Sequence, residues 1–296
     1  MKFLKNLFKS QPKITKTDIT KRFDLIGRVG QGSMSKVWRA RDSKTGKTVA
    51  LKVLDKEKTK RLEERFIGLN KPTEGEIAVQ LKHPHIVNTL EHGLTKDREQ
   101  FLVMEFVEGV GLSYLVDVQN EQMQRDRLRY LIELGNALEY LHQQNWIHRD
   151  ICPRNIIVSS EGSLVLIDFG LVVPNTPDFQ KPGNRTGTAS YMAPELIKRQ
   201  KTDQRIDIFS YAVTGYEMYT KRHPWDATGV SFDMALQHIN SPPKDIRQFA
   251  ENIDDQIADA IMRGLAIDPR DRWKTVAEMV QELEEARERL EADIQA

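Results

Sequence analysis

Hydrophobic residues follow one pattern in the first third of the chain and another in the rest. From Phe23 to about Gly93, short apolar or alternating runs are separated by glycine-containing turns, which is typical of β-strands. The runs predicted as strands are residues 23–26, 36–41 and 48–54, and residues 101–107 read as a further buried strand. A charged, helix-favouring stretch covers residues 56–81. Gly68 and Pro72 interrupt it, and Pro72 should end or kink a helix there because proline lacks an N–H.

Beyond Gly109 the apolar spacing becomes helical. One predicted helix ends near Gln144, and residues 206–219, 256–264 and 276–290 show further helical patterns. Two short β pieces, 156–158 and 164–167, flank a turn at Glu161 and Gly162. A β-rich first part followed by a helical second part predicts an α+β fold.

Residues 1–22 differ from the rest of the chain. Lysines are interleaved there with Phe3, Leu4, Leu7 and Phe8, which fall at helical spacing. One interpretation is a solvated tail. The other is a short basic amphipathic helix that contacts anionic lipid or a partner.

Composition narrows the function classes. The net charge of +1 argues against nucleic-acid binding, because the phosphate backbone favours a strongly basic surface. The only cysteine, Cys152, excludes an intrachain disulfide and favours a reducing compartment. No apolar run approaches the roughly 20 residues that span a bilayer, and the first residues lack a signal-peptide core. We therefore expect a cytoplasmic protein.

Several polar residues that suit phosphoryl transfer lie close to one another along the chain. Asp150 stands five residues before Asn155, and Asp168 follows an apolar strand. A carboxylate can orient an attacking hydroxyl, and an Asp–Asn pair can ligate Mg²⁺ that bridges nucleotide phosphates. The motifs are His148-Arg149-Asp150 with Asn155, Asp168-Phe169-Gly170, and Ala193-Pro194-Glu195.

These motifs resemble those of the eukaryotic-type (Hanks-type) protein kinase family, in its serine/threonine branch, with a bacterial member as the expectation. The resemblance covers about residues 23–283. It implies a bilobal fold: a small β-rich N-lobe (23–104) with one main helix, a hinge (105–111) and a larger, mostly helical C-lobe (112–283). Residues 284–296 would extend the last helix. ATP and Mg²⁺ are the implied cofactors, and a protein with a Ser or Thr acceptor is the implied partner.

The resemblance assigns the nucleotide-binding residues. Glycines 30 and 32 would form the loop that covers the phosphates, with Ser35 in place of the family's third glycine, and Lys52 would bind the α- and β-phosphates. The partner of Lys52 would be Glu74, with Glu76 as the competitor. The remaining residues implied for nucleotide binding are Val37, Ala50, Met104, Glu105 and Val107.

The resemblance also assigns the catalytic residues. Asp150 would orient or deprotonate the acceptor hydroxyl, and Asn155 and Asp168 would ligate Mg²⁺. The family's usual lysine two residues after the Asp is Cys152 here, and Arg154 could replace its charge. Cys152 itself is read as a buried filler or, alternatively, as a redox switch.

Three more residues resemble structural positions of the family, and Thr188 resembles its serine/threonine-type substrate loop. Glu195 and Arg272 match a pair that joins this loop to the helical lobe, and Asp207 matches a buried aspartate that holds the catalytic loop. The predicted function is ATP- and Mg²⁺-dependent phosphorylation of protein Ser or Thr. The alternative is a pseudokinase that binds nucleotide as a scaffold.

Overall fold

The computed structural model describes residues 16–31, 34–183, 185–225 and 231–295. The chain divides into two compact units. The first comprises Met1–Ile67, Gly75–Gln80 and Asn88–Phe106, and the second comprises Gly68–Glu74, Leu81–Val87 and Val107–Ala296.

The first unit is built on a six-stranded sheet. Its strands are β1 (Lys16–Thr17), β2 (Phe23–Gln31), β3 (Ser35–Asp42), β4 (Thr48–Leu54), β5 (Thr89–Thr95) and β6 (Gln100–Glu105), in the order β1-β5-β6-β4-β3-β2. Successive side chains of a strand point to opposite faces. Val49, Leu51 and Val53 of β4 therefore share one face, where they are buried in a core with Phe23, Ala40, Phe101 and Val103.

The charged stretch after β4 forms two separate helices. Helix α2 (Lys56–Glu64) begins at Asp55, whose carboxylate accepts a hydrogen bond from Lys58 N, and α3 (Glu74–Ala78) follows after a gap. Gly68 and Asn70 adopt left-handed φ angles of 81° and 49° within that gap. The predicted interruption near Gly68 and Pro72 is confirmed.

Residues 16–22, which the sequence places in the tail, are ordered by side-chain pairing. After β1, helix α1 (Ile19–Arg22) begins at Asp18, whose carboxylate accepts from Lys21 N. The Arg22 guanidinium donates to Asp42 at 2.9 Å and to Glu91 at 2.7 Å. Residues 1–15, with the apolar positions of the tail, lie outside the described residues, so the amphipathic helix stays a prediction.

The second unit is mainly helical. Its helices are α4 (Leu112–Val118), α5 (Glu121–Gln143), α6 (Pro194–Ile197), α7 (Arg205–Thr220), α8 (Ser231–Asn240), α9 (Asp255–Gly264) and α10 (Val276–Gln295). Helix α5 packs against α7 and α10, as its apolar face predicts. Helix α10 runs unbroken to Gln295, which lies within the predicted extension of residues 284–296. None of the helices in the described ranges is both long enough and apolar enough to span a membrane.

Two small sheets frame the loops that carry the polar motifs. Strands β7 (Gly109–Gly111), β9 (Ile156–Ser159) and β10 (Leu164–Leu166) form one, and β8 (Trp146–Ile147) pairs with β11 (Val173–Pro174) in the other. Gly162, with φ of 85°, makes the turn between β9 and β10. The segment 148–155 therefore leaves one small sheet and enters the other, so both of its ends are fixed.

Candidate active site

Asp207 holds the segment that carries Asp150. One of its carboxylate oxygens accepts from His148 N at 2.7 Å, and the other accepts from Arg149 N at the same distance. His142 Nε2 lies 3.0 Å from the carboxylate as well. These bonds fix the backbone at Arg149, whose φ is +70°. The role that the resemblance implied for Asp207 is confirmed; His142 was not singled out from the sequence.

The charge on Asp207 is stabilised by its partners. Burial by itself raises the pKa of this carboxyl, but the hydrogen bond and charge of His142, the charge of His148 and the Arg149 N–H outweigh it and leave the pKa below its usual value. Burial also lowers the pKa of His148. The His148 ring packs edge-on against Phe169, with centroids 5.7 Å apart. This packing against Phe169 supports an orienting role for His148.

Asp150 is held on both oxygens of its carboxylate. Oδ1 accepts from Thr188 N at 2.8 Å, and Oδ2 accepts from Asn155 Nδ2 at 2.9 Å. Gly187 allows the first bond, because a Cβ at this position would lie 2.6 Å from Arg149 O and its φ of 132° is unfavourable for other residues. The carboxylate is therefore oriented by two different segments of the chain.

Asn155 is oriented by the same contacts. Its Nδ2 also donates to Asp150 O at 2.8 Å. Since both hydrogen bonds use the amide nitrogen, the amide oxygen, which is the atom that can ligate a cation, takes part in neither. The Asn155 N–H and C=O bond Cys152 O and Ile167 N, so the residue is fixed within its turn.

Asp168 and Glu74 lie close together within the second unit. Asp168 Oδ1 accepts from Gly170 N at 2.9 Å. A Cβ on Gly170 would lie 3.3 Å from both Asp168 Oδ1 and Glu74 Oε2, so these two carboxylates flank the same glycine. Glu74 is buried, whereas Glu76 is exposed. Burial thus distinguishes Glu74 from Glu76, and the pairing of Lys52 with Glu74 stays a prediction.

Arg154 and Cys152 differ in their surroundings. Arg154 is exposed, and its Nη2 lies 3.4 Å from Thr188 Oγ1, next to the N–H that orients Asp150. Cys152 is buried. Burial raises the pKa of its thiol to about 11, with the Asp150 charge as a further cause. A redox-active cysteine needs access and thiolate character. The geometry therefore supports the interpretation of Cys152 as a packed filler.

Five of the nucleotide-binding residues predicted in the first unit share one face of its sheet: Gly30, Val37, Ala50, Lys52 and Met104. The register pairs Gly30 with Val37, Val37 with Lys52, and Ala50 with Met104. Cross-strand partners point to the same side, and so do residues two apart on one strand. Lys52 is 4% exposed, and Glu105 ends β6 two residues before Val107. Gly32 lies outside the described residues.

The predicted Mg²⁺ ligands fit the chemistry of that ion. Within the described ranges, no group of three or more His, Cys, Asp or Glu side chains could hold a metal. One carboxylate, Asp168, and one amide oxygen, Asn155, make a sparse oxygen set. Mg²⁺ suits such a set because it keeps several waters and takes its other ligands from substrate phosphates.

Three residues beside this site were not predicted. Tyr191 OH donates to Glu217 at 2.5 Å, and His223 Nε2 lies 3.0 Å from the other oxygen of the same carboxylate. No sequence pattern brings them together, since Tyr191 lies within the substrate-loop motif, whereas Glu217 lies in the last turn of α7 and His223 beyond its end. The one available signal was Glu217, a charged residue that follows a run of uncharged residues from Ile208 to Tyr216 in α7.

Comparison with known proteins identifies the family. Residues 23–283 match the protein kinase domain. A probable serine/threonine-protein kinase of Clostridium perfringens is 34% identical over 89% of this chain and 38% of its own length. The serine/threonine-protein kinase PknB of Mycobacterium leprae is 28% identical over 90% of this chain and 43% of its own length.

The chain belongs to the protein kinase family. The family that the sequence motifs implied is confirmed, together with its α+β fold. The relatives named here are bacterial, as expected from the sequence. The chain spans about two fifths of the length of these relatives.

Proposed function

We propose that this chain transfers the γ-phosphoryl group of ATP to Ser or Thr hydroxyls of proteins, with Mg²⁺. The observation that carries the proposal is the doubly held Asp150 carboxylate, oriented by Thr188 N and Asn155 Nδ2. Phosphoryl transfer through a loose transition state needs positioning and charge neutralisation more than covalent participation by the protein. A carboxylate fixed on both oxygens supplies such positioning.

Each nucleotide-binding residue has a distinct role in this proposal. Gly30 and Gly32 cover the phosphates, and Lys52 neutralises the α- and β-phosphate charge. The residues that bind or surround the adenine base are Val37, Ala50, Met104, Glu105 and Val107. Asn155 and Asp168 hold Mg²⁺, which would neutralise charge on the β- and γ-phosphates. Glu74 orients Lys52.

At the acceptor, Asp150 accepts the hydrogen of the substrate hydroxyl, because each of its oxygens accepts one protein hydrogen bond and keeps a further lone pair. The hydroxyl oxygen forms a bond to the γ-phosphorus as the bond to the β–γ bridging oxygen breaks, and the hydroxyl proton passes to Asp150. Arg154 compensates the charge of the transferring group, which the usual lysine does elsewhere in the family. Its contact with Thr188 supports this role.

An assay that separates binding from turnover tests the proposal against the pseudokinase alternative. Purified protein is incubated with γ-labelled ATP, Mg²⁺ and generic protein acceptors, and nucleotide binding is measured in parallel. We expect labelled protein from the wild type and a loss of turnover of about 10²-fold or more for Asp168→Ala. The variant removes a ligand of Mg²⁺, so the phosphate charge would be less well neutralised in the transition state. Binding without transfer by the wild type would instead support a scaffold.

A further inference from the structure

One side chain of helix α8, His238, reaches the substrate loop (residues 187–195). His238 Nδ1 lies 2.8 Å from Met192 O, and the side chain is fully buried. A carbonyl oxygen can only accept a hydrogen bond, so Nδ1 carries a proton and donates it. Helix α8 also packs against residues 189–191 and against α6, so His238 lies where the helix meets the loop.

The His238 ring is neutral and packs against aromatic side chains. Its centroid lies 4.1 Å from the Trp225 ring and 5.5 Å from the Phe209 ring. Burial lowers the pKa of His238 to about 4, which outweighs the opposing effect of the hydrogen bond to Met192. At neutral pH the imidazole therefore has a single N–H, and it is the one on Nδ1.

The second nitrogen of the same ring shows that packing alone does not explain a histidine here. His238 Nε2 is buried without a hydrogen-bond partner in the described structure. A buried acceptor without a partner costs free energy, so an apolar ring such as that of Phe would suit the aromatic surroundings better. What an apolar ring cannot supply is the N–H that Met192 O accepts.

Hydrogen bonds continue along the substrate loop from Met192 to the carboxylate of Asp150. Met192 N donates to Ala189 O at 3.3 Å, and Tyr191 N donates to Thr188 O at 2.9 Å, which closes a 3₁₀ turn. Thr188 N in turn donates to Asp150 Oδ1 at 2.8 Å. The turn is therefore held by α8 at one end and holds the predicted catalytic carboxylate at the other.

We propose that His238 is a positioning residue, which fixes the substrate loop so that Thr188 N stays aimed at Asp150. The inference rests on the proposed function, since the loop and the carboxylate are assigned to the same reaction. A fully buried side chain cannot touch the substrate, so the effect of His238 on catalysis passes through the backbone of the loop.

Two substitutions separate the donor from the ring. His238→Asn loses the ring but keeps an N–H donor, because the amide nitrogen stands as many bonds from Cα as Nδ1 does. His238→Phe keeps an aromatic ring against Trp225 and Phe209 but has no donor. Initial rates with a generic protein acceptor and saturating ATP give kcat. The KM for ATP and thermal unfolding are measured in parallel and report whether each variant is folded.

We expect His238→Phe to lower kcat about tenfold, the loss that one hydrogen bond to a buried carbonyl implies, while the KM for ATP stays at the wild-type value. The loss should be partial, because Ser210 Oγ of α7 donates to Tyr191 O at 2.7 Å and holds the same turn. His238→Asn should unfold at a lower temperature, since a ring leaves the core, yet keep kcat close to wild type below that transition.

Two further variants complete the set. His238→Leu, a smaller apolar side chain without a donor, should lower kcat as His238→Phe does, and it decides the matter should the Phe variant not fold. Asn240→Gln changes an exposed side chain of the same helix and should match the wild type in kcat and stability.

The outcomes separate this inference from the proposed function. An active His238→Phe with an impaired but folded His238→Asn would show that the ring matters and the donor does not, which overturns the inference while the chain is still a kinase. Wild-type kcat in both variants, or equal losses in both, would also overturn it. Failure of the wild type to phosphorylate any protein would overturn the proposed function and this inference with it.

Discussion

At the scale of single residues, Arg154 places a charge next to the residue that holds Asp150, the predicted catalytic carboxylate. Its guanidinium contacts Thr188 Oγ1, and Thr188 N holds Asp150. Cys152, in the position of the family's usual lysine, is a buried thiol whose pKa is raised to about 11 by burial. Since a protonated thiol is neutral, it cannot compensate phosphate charge.

We therefore expect Arg154→Ala to lower kcat by about 10²-fold, the cost of removing one fixed donor to a developing charge. Cys152→Ala should change kcat little and serves as the neighbouring control. Steady-state rates at saturating ATP measure both. The double variant Cys152→Lys with Arg154→Ala should recover part of the loss. A severe defect in Cys152→Ala, or no recovery in the double variant, would show that the thiol has a role of its own.

Asp207 links a single carboxyl to the stability of the catalytic segment. Its folded-state pKa is lowered, since its partners outweigh the effect of burial. A group with a lowered folded pKa stabilises the fold above its unfolded pKa, about 3.9 for Asp. That contribution is lost as the pH falls through the folded-state value.

Asp207→Asn should consequently lower the free energy of unfolding by about 2–3 kcal/mol at pH 7, because the amide keeps only one acceptor oxygen, which is neutral, and its nitrogen cannot accept from the second backbone N–H. The difference from wild type should shrink as the pH falls below about 4. Chemical denaturation at several pH values measures it, with Glu251→Gln as an exposed control. A difference that stays constant from pH 7 to pH 3 would contradict the assigned charge.

At the scale of elements, a buried ion pair joins the loop after Thr188 to the segment before α10. Arg272 donates to both oxygens of Glu195, at 2.7 and 2.8 Å, and its side chain is fully buried. It also donates to the backbone oxygens of Ala266, Ile267 and Arg205. The pairing that the resemblance implied is confirmed. The loop that places Thr188 is thus held at its far end.

Removing one member of a buried pair leaves the other charge uncompensated, which costs about 3–5 kcal/mol. Arg272→Ala should therefore destabilise the chain by about this amount. Arg270→Ala is the matched control: Arg270 stands two residues away and pairs with Asp268 on the surface, so its loss should change stability little. Thermal or chemical denaturation compares them. Equal effects of the two variants would mean that the buried pair adds nothing specific.

Sequence reasoning found the elements whose signals are local. The alternation around Ala50 predicted β4, and Pro72 with Gly68 predicted the break between α2 and α3. It missed β5 because its polar residues, such as Glu91 and His92, belong to a strand only through pairing with β6. It also missed α4, a short helix, and α8, for which no helical pattern was recognised. Tertiary pairing decides such segments.

At the scale of the whole molecule, the motifs predicted the family, and comparison confirmed it. The sequence predicted Asp150, Asn155 and Asp168 as site residues, because the type of each side chain indicates its chemistry. The choice between Glu74 and Glu76 as the partner of Lys52 stays a prediction. The cluster of Tyr191, Glu217 and His223 could not be predicted from the sequence. Its residues are of common types and lie far apart along the chain, so they form no motif with a characteristic spacing.

The most direct test of the account is the identity of the amino acid that receives the phosphate. Wild-type protein and Asp150→Asn are incubated with γ-labelled ATP, Mg²⁺ and a mixture of protein acceptors, and phosphoamino-acid analysis follows. The account predicts phosphoserine or phosphothreonine from the wild type and a severe loss of both in Asp150→Asn, whose amide cannot take the hydroxyl proton. Label on tyrosine alone, or equal serine and threonine labelling by both proteins, would contradict it.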